Sequence, residues 1–199
     1  WTTCELDKIY TADYYYVKFF DSDNGVIVCG YAKSNDTNES SRIYSTSNGG
    51  ESWDIVGSGP ATNIIKGVVY VSSDVGFFCY DYVEGMDSNL YKTDDGGKTF
   101  AKVMLEEQEL DSSAANPQGQ ETETKTDSGK NGADSSEQLR WGDVYKEALT
   151  PVVDSTGIIT IYLTQGKNAV YNDGKTAAKY QSSDKGSTWK YIGQVEIKD

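Results

Sequence analysis

The sequence predicts an all-β chain assembled from repeated four-stranded antiparallel units, and three observations carry that prediction. A nine-residue phrase occurs three times, at 45–53, 92–100 and 181–189. A second pattern, two short apolar runs around a polar turn, lies upstream of each phrase, at 17–28, 69–79 and 152–161. The intervals between phrase and pattern act as a ruler for the rest of the chain. Repetition at a regular interval announces a stacked or radial fold before any finer reading begins.

The phrase explains itself as a turn. Its invariant skeleton is hydroxyl, any, Asp/Asn, any, Gly, any, Ser/Thr, aromatic: Thr46, Asn48, Gly50, Ser52, Trp53; then Thr93, Asp95, Gly97, Thr99, Phe100; then Ser182, Asp184, Gly186, Thr188, Trp189. A tyrosine (Tyr44, Tyr91, Tyr180) stands two positions before each opening hydroxyl. An Asp or Asn in a turn accepts hydrogen bonds from backbone N–H groups just ahead of it. The glycine two places later supplies a positive φ at little steric cost. The aromatic then anchors the returning strand in apolar packing. These residues are expected to be structural.

The phrase resembles the Asp box of the bacterial-neuraminidase-like repeat families, which include sialidases, xyloglucan-cleaving hydrolases, sortilin-type receptors and a photosynthetic assembly factor. The second and third copies fit that pattern at every position, while the first has Asn48 for Asp and Ser52 for Thr. The resemblance implies a β-propeller in which each box joins the third and fourth strands of a blade.

The elements follow in chain order. Trp1 lies 20 residues before Asp21, so by the ruler it ends a missing box, and 1–8 is the outer strand of a preceding blade. The other reading makes Trp1 an ordinary terminal aromatic. Blades are expected at 14–58 and 66–105, each an inner strand, a polar turn, a buried second strand and a box hairpin. From Trp53 to Ser72 is 19 residues, but from Phe100 to the equivalent Asp154 is 54. The excess falls at 106–139, rich in Glu, Asp, Ser, Gln, Gly and Asn, which reads as a disordered acidic low-complexity insertion. A third blade is expected at 145–197. Three blades and one strand fall short of the four blades of the smallest typical propellers. The chain is therefore expected to be a propeller segment completed by further blades or by self-association.

Composition excludes several classes of function. A net charge of −13 disfavours nucleic acid and anionic membrane surfaces, both of which call for a basic patch. No apolar run approaches the roughly 18 residues that span a bilayer. There is no histidine, which removes the commonest general base, the commonest metal ligand and every histidine-based triad. Cys4, Cys29 and Cys79 lack the paired spacing of a zinc site. Cys29 and Cys79 read as buried thiols, and a Cys4–Cys29 disulfide stays open. Asn35 and Asn38 open two glycosylation sequons. No segment has EF-hand spacing, and neither metal nor cofactor is expected.

If the boxes lie at one end of the blades, the loops 32–41, 82–89 and 164–178 lie at the other, together with the blade connections. Loops on a rigid scaffold are where binding groups collect. Tyr82, Glu84 and Asp87 in one loop, and Lys167, Tyr171 and Asp173 in another, are the candidate ligand-binding residues. Asp21, Asp23, Asp74 and Asp154 recur at the first turn of each blade and read as turn residues. A sialidase would need three arginines on the substrate carboxylate, and only Arg42 and Arg140 are present. The expected function is therefore a non-catalytic recognition module, exported or at the cell surface, for a glycan or a protein partner. The alternative is part of a glycoside hydrolase whose remaining catalytic residues lie outside this chain.

Overall fold

A computed structural model describes residues 12–31, 40–110, 140–166 and 171–197. The strand expected at 1–8, the sequons at Asn35 and Asn38, residues 111–139 of the acidic segment, and Lys167 lie outside them.

The repeated phrase does organise the chain into hairpins, and the hairpins join into three sheets. The first holds β1 (Tyr14–Phe19), β2 (Gly25–Gly30), β3 (Ser41–Thr46) and β4 (Asp54–Ser58). The second holds β5 (Ile65–Tyr70), β6 (Gly76–Tyr80), β7 (Leu90–Thr93) and β8 (Ala101–Lys102). The third holds β9 (Glu147–Ala148), β10 (Val152–Val153), β11 (Ile159–Thr164), β12 (Thr176–Ser182) and β13 (Lys190–Glu196). In each sheet, strands adjacent in sequence pair antiparallel, except that β9 and β10 both pair with β11. Those two strands are one inner strand interrupted near Pro151, whose nitrogen cannot donate to the ladder. The one α-helix among the described residues, α1 (Trp141–Val144), is a single turn. The fold is thus the expected all-β one, three four-stranded blades of a propeller that remains open.

Alternation along each strand decides what lies between blades. Val26, Val28 and Ile43 of the first sheet meet Val68, Tyr70, Phe78 and Tyr80 of the second. On its other face the second sheet sends Phe77, Cys79 and Leu90 against Ile159, Ile161 and Ala148 of the third. The middle blade is apolar on both faces, as a sheet covered on both sides must be. The first blade keeps an open apolar face, where Tyr15, Val17, Phe19 and Ile55 are each 44–58% exposed.

The inner edge of the second blade is not left bare. Its Val68 and Tyr70 N–H groups donate to the hydroxyls of Tyr14 and Tyr16, each at 3.1 Å, and Lys18 Nζ donates to the Tyr70 carbonyl at 2.6 Å. Side chains of β1 therefore take the ladder positions that a neighbouring strand would fill.

Candidate functional site

The two ends of the blades are built differently, and the difference locates the site. At one end sit the repeated turns. In the second copy, Asp95 Oδ1 accepts the Lys98 and Thr99 N–H groups and the Thr93 hydroxyl, and Oδ2 accepts the Thr99 hydroxyl at 2.6 Å. Asp184 does the same with Ser187, Thr188 and Ser182. The hydroxyl at each turn's start also accepts the N–H of Gly50, Gly97 or Gly186. These donors hold both carboxyls well below the usual carboxylate range. Both oxygens of each carboxylate accept donors from within the turn, so the carboxylates act as braces.

Copy one solves the same problem with opposite polarity. Asn48 Oδ1 still accepts the Ser52 N–H and the Thr46 hydroxyl, but its Nδ2 now donates to Ser52 Oγ at 2.9 Å. The two departures from the pattern, Asn48 and Ser52, thus belong to one hydrogen bond. The first-turn aspartates are local too: Asp21 Oδ1 accepts the N–H groups of Asp23 and Asn24, and Asp154 Oδ1 those of Thr156 and Ile158.

At the opposite end the loops after β6 and β11 and the connection into β9 enclose a cleft of about 750 Å³ between the second and third blades. A hollow at the turn end, between the first two blades, measures about 240 Å³. The cleft is walled by Lys66, Asp81, Tyr82, Glu84, Asp143, Lys146, Glu147 and Gln165. Tyr82 and Lys146 also line a smaller hollow of about 270 Å³, whose wall includes Met86, Met104, Leu105, Trp141, Tyr145 and Leu163.

Two buried amides fix these walls. Asn89, 1% exposed, donates to the carbonyls of Tyr80 (2.8 Å) and Ala148 (3.0 Å), and accepts the Ala148 N–H at 2.9 Å. A side chain of the second blade here pairs with the inner strand of the third as a strand backbone would. Gln165 donates to the Tyr171 carbonyl and accepts the Tyr171 N–H, which closes the loop between β11 and β12. That loop ends in a tight turn with Asn172 and Asp173 both left-handed, at φ 47° and 54°. Asn and Asp tolerate this better than other side chains.

The charged groups of the cleft are ordered against one another. Lys66 pairs with Asp81 at 2.7 Å and Lys146 with Glu84 at 2.8 Å. Hydrogen bonding to those carboxylates raises both lysine pKa values. Asp143 is held below its ordinary value chiefly by Arg140, and Asp87 by Lys102 at 2.9 Å.

Of the candidate residues, the cleft brings together Tyr82 and Glu84, and the hollow takes in Tyr82 and Asp87. Tyr171 is placed elsewhere: it is buried, edge-on to the Tyr145 ring, and its hydroxyl has no hydrogen-bond partner among the described residues. Asp173 is exposed on the tight turn and lines neither space. Lys66, Asp81, Asp143, Lys146, Glu147 and Gln165 were not among the candidates. Gln165 lies in the loop expected at 164–178, and the others lie in strand ends and in the connection after the acidic segment, where no local pattern marks them. Their shared position follows from the packing of two blades. The acidic segment contributes as well, since Tyr180 donates to the Glu106 carbonyl at 2.7 Å and Leu110 packs on the cluster around Trp141. Burial pushes the Tyr180 hydroxyl up to about 12.

No family model matches the chain, and no curated protein matches it. Among solved structures it is similar to a GH74 enzyme from Niastella koreensis, at 16% identity and a TM-score of 0.43, over 83% of this chain and 19% of that one. It is also similar to YCF48 bound to D1 peptide, at 14% identity and a TM-score of 0.41, over 96% of this chain and 49% of that one. The chain thus spans less than two thirds of either protein.

Proposed function

We propose that the chain is a non-catalytic recognition module of the Asp-box propeller type, exported or at the cell surface, which binds a glycan or a protein partner in the cleft between its second and third blades. The carrying observation is the state of the cleft's ionic groups. Lys66 and Lys146 are already paired with Asp81 and Glu84, on a wall fixed by buried Asn89 and Gln165, so the surface is preorganised for contact. The same reading expects further blades or self-association to complete the open propeller against the exposed face of the first blade.

The test is a paired binding and turnover assay on the chain. Oligosaccharide and peptide arrays should yield a ligand whose binding is lost in Tyr82→Ser, with no release of product. Turnover of a fluorogenic sialoside, abolished by a tyrosine substitution at this end, would overturn the proposal in favour of a hydrolase.

A further inference from the structure

Asn is followed by Gly at three places in the chain, Asn24, Asn48 and Asn131, and the third lies outside the described residues. Such a pair is chemically fragile, because glycine puts no side chain in the way when its backbone nitrogen attacks the asparagine Cγ. The other copies of the repeated phrase escape this. Copy three has Lys185 where the first has Gly49, and in copy two Asp95 is held ionised by its donors, which makes it a poor electrophile.

A contact between two turns decides what happens at Asn48. The Gly49 N–H, whose nitrogen is the nucleophile once deprotonated, donates to the Asp23 carbonyl at 2.8 Å. That carbonyl belongs to the first turn of the blade, which Asp21 ties down by accepting the N–H groups of Asp23 and Asn24. A nitrogen that donates its proton to a carbonyl is neither ionised nor aimed at Cγ, and attack requires the reacting atoms aligned at about 3–3.5 Å. The side chain itself offers little protection. Asn48 is exposed, and the two donors on its Oδ1, the Thr46 hydroxyl and the Ser52 N–H, draw electrons away from Cγ. At Asn24 the glycine is instead buried in β2, between β1 and β3.

We propose that Asn48 is a deamidation site gated by this contact, dormant while Gly49 is held and reactive when the first blade opens, and that the fold accepts one of the two products. In the reaction hydroxide takes the Gly49 N–H proton, the nitrogen bonds to Cγ, and the Cγ–Nδ2 bond breaks. The amide leaves as ammonia with a proton from water, and a succinimide remains. Water then opens the ring. Breaking the bond from Gly49 N to Cγ gives aspartate, and breaking the bond from Gly49 N to the backbone carbonyl carbon of residue 48 gives isoaspartate.

The aspartate product fits the turn. In copy two the Thr99 hydroxyl donates to Asp95 Oδ2 at 2.6 Å. Ser52 Oγ, which accepts from Asn48 Nδ2, has only to turn its proton toward the new oxygen, while Oδ1 keeps its donors. The isoaspartate product does not fit. It adds one carbon to the main chain between residues 48 and 49 and so displaces both Gly49 and the oxygen that braces the turn.

The test incubates the chain at pH 8, folded and in urea, and follows position 48 by peptide mapping, with isoaspartate scored by a methyltransferase specific for it. Circular dichroism melts check that each variant is folded. Asn48 should deamidate at least about tenfold more slowly in the folded chain than in urea, because reaction waits on local opening. Asp21→Ala, which releases the turn carrying the Asp23 carbonyl, should raise the folded rate about fivefold or more. Asp21→Asn, whose amide oxygen keeps the acceptor, should not. Ser52→Ala, which unties the amide and leaves Gly49 held, should change the rate by less than about twofold. Equal rates folded and in urea, no response to Asp21→Ala, or a response to Ser52→Ala as large as that to Asp21→Ala overturns the gate. Should Asp21→Ala not fold, hydrogen exchange at the Gly49 amide of the unaltered chain decides, and fast exchange overturns it. For the products, the chain is aged in urea, refolded and separated by size exclusion. The refolded fraction should retain the aspartate product and be depleted about fivefold or more in isoaspartate at position 48, and Asn48→Asp should melt no lower than the parent chain. Equal isoaspartate in the folded and unfolded fractions, or a lower melt for Asn48→Asp, overturns the product selectivity.

Discussion

At Asp95 and Asp184 a carboxylate replaces what would otherwise be several separate turn contacts, and this has a measurable signature. Both are held ionised by hydroxyl and N–H donors, so their pKa values in the folded chain lie below the unfolded value of about 4. Their contribution to stability is present above that unfolded pKa and is lost as the pH falls through the folded one. The Thr99 and Thr188 amide resonances should therefore stay fixed down to pH 4 and move in stronger acid, while that of Ser52, bonded to an amide oxygen, should show no such titration. NMR titration of the three amides checks this. Asn89 is the other residue whose chemistry is unusually concentrated. Truncation to Ala strands the buried Ala148 N–H, while the Ala148 carbonyl keeps the Cys79 thiol as a donor, and should cost about 1–3 kcal/mol, the range for one unsatisfied buried group. Urea melts measure it, and a loss under 1 kcal/mol would show that water replaces the amide.

Turns and strands show where local chemistry ends and packing begins. The glycine of the pattern is needed twice over. Gly97 and Gly186 have φ of 107° and 77°, and an added Cβ would stand 2.9 Å from Ile43 Cδ1 at the first and 2.5 Å from Phe77 Cζ at the second. The preceding blade packs straight onto the turn. Gly186→Ala should therefore cost about 2–5 kcal/mol, combining roughly 1–2 for left-handed backbone with about 1–3 for overpacking. One residue earlier, Lys185 occupies a left-handed conformation at φ 58°, where the other copies have Gly49 and Gly96. Lys185→Gly should raise stability by about 0.5–1 kcal/mol. Opposite signs from adjacent positions, read in thermal melts, are the check. The positive φ was legible in the phrase; the contact with Phe77 was not, since it joins residues over 100 positions apart.

Across the whole molecule the two inter-blade layers, and the cluster of Cys29, Tyr31 and Tyr44 on the other face of the first blade, bury groups that titrate in alkali. Burial pushes the Cys29 thiol up to about 11 and the Cys79 thiol up to about 12, and Cys79 Sγ donates to the Ala148 carbonyl at 3.2 Å. Both are free thiols, so the pairing of Cys29 left open in the sequence is not made here; Cys4 lies outside the described residues. The reactive form of cysteine is the thiolate. Neither thiol should react with an aromatic disulfide reagent at pH 8 until denaturant unfolds the chain. Fast reaction in buffer would mean that the layers open locally. Tyr70 and Tyr80 are raised by burial as well, so the stability they contribute is present below the unfolded tyrosine pKa of about 10 and is lost as pH rises above it.

The sequence by itself determined the hairpins, the number of strands in each unit and the end of the blades on which the turns lie. Those properties depend on residues within one phrase: a hydroxyl, an Asp or Asn, a glycine and an aromatic that bond to one another across fewer than ten positions. The same locality made the Asp and Asn of the repeated phrase and the first-turn aspartates readable as turn residues. Only the tertiary structure decided which side chains share the cleft. Tyr82 and Glu84 come from one blade, while Asp143, Lys146, Glu147 and Gln165 come from the next, across the acidic segment. It also withdrew Tyr171 into the wall, because an exposed tyrosine and a buried one look alike until the packing of Tyr145 and Gln165 is known. A turn is set by neighbours in sequence, but a cleft between blades is set by side-chain volumes that meet when two sheets pack, and no interval along the chain encodes that meeting.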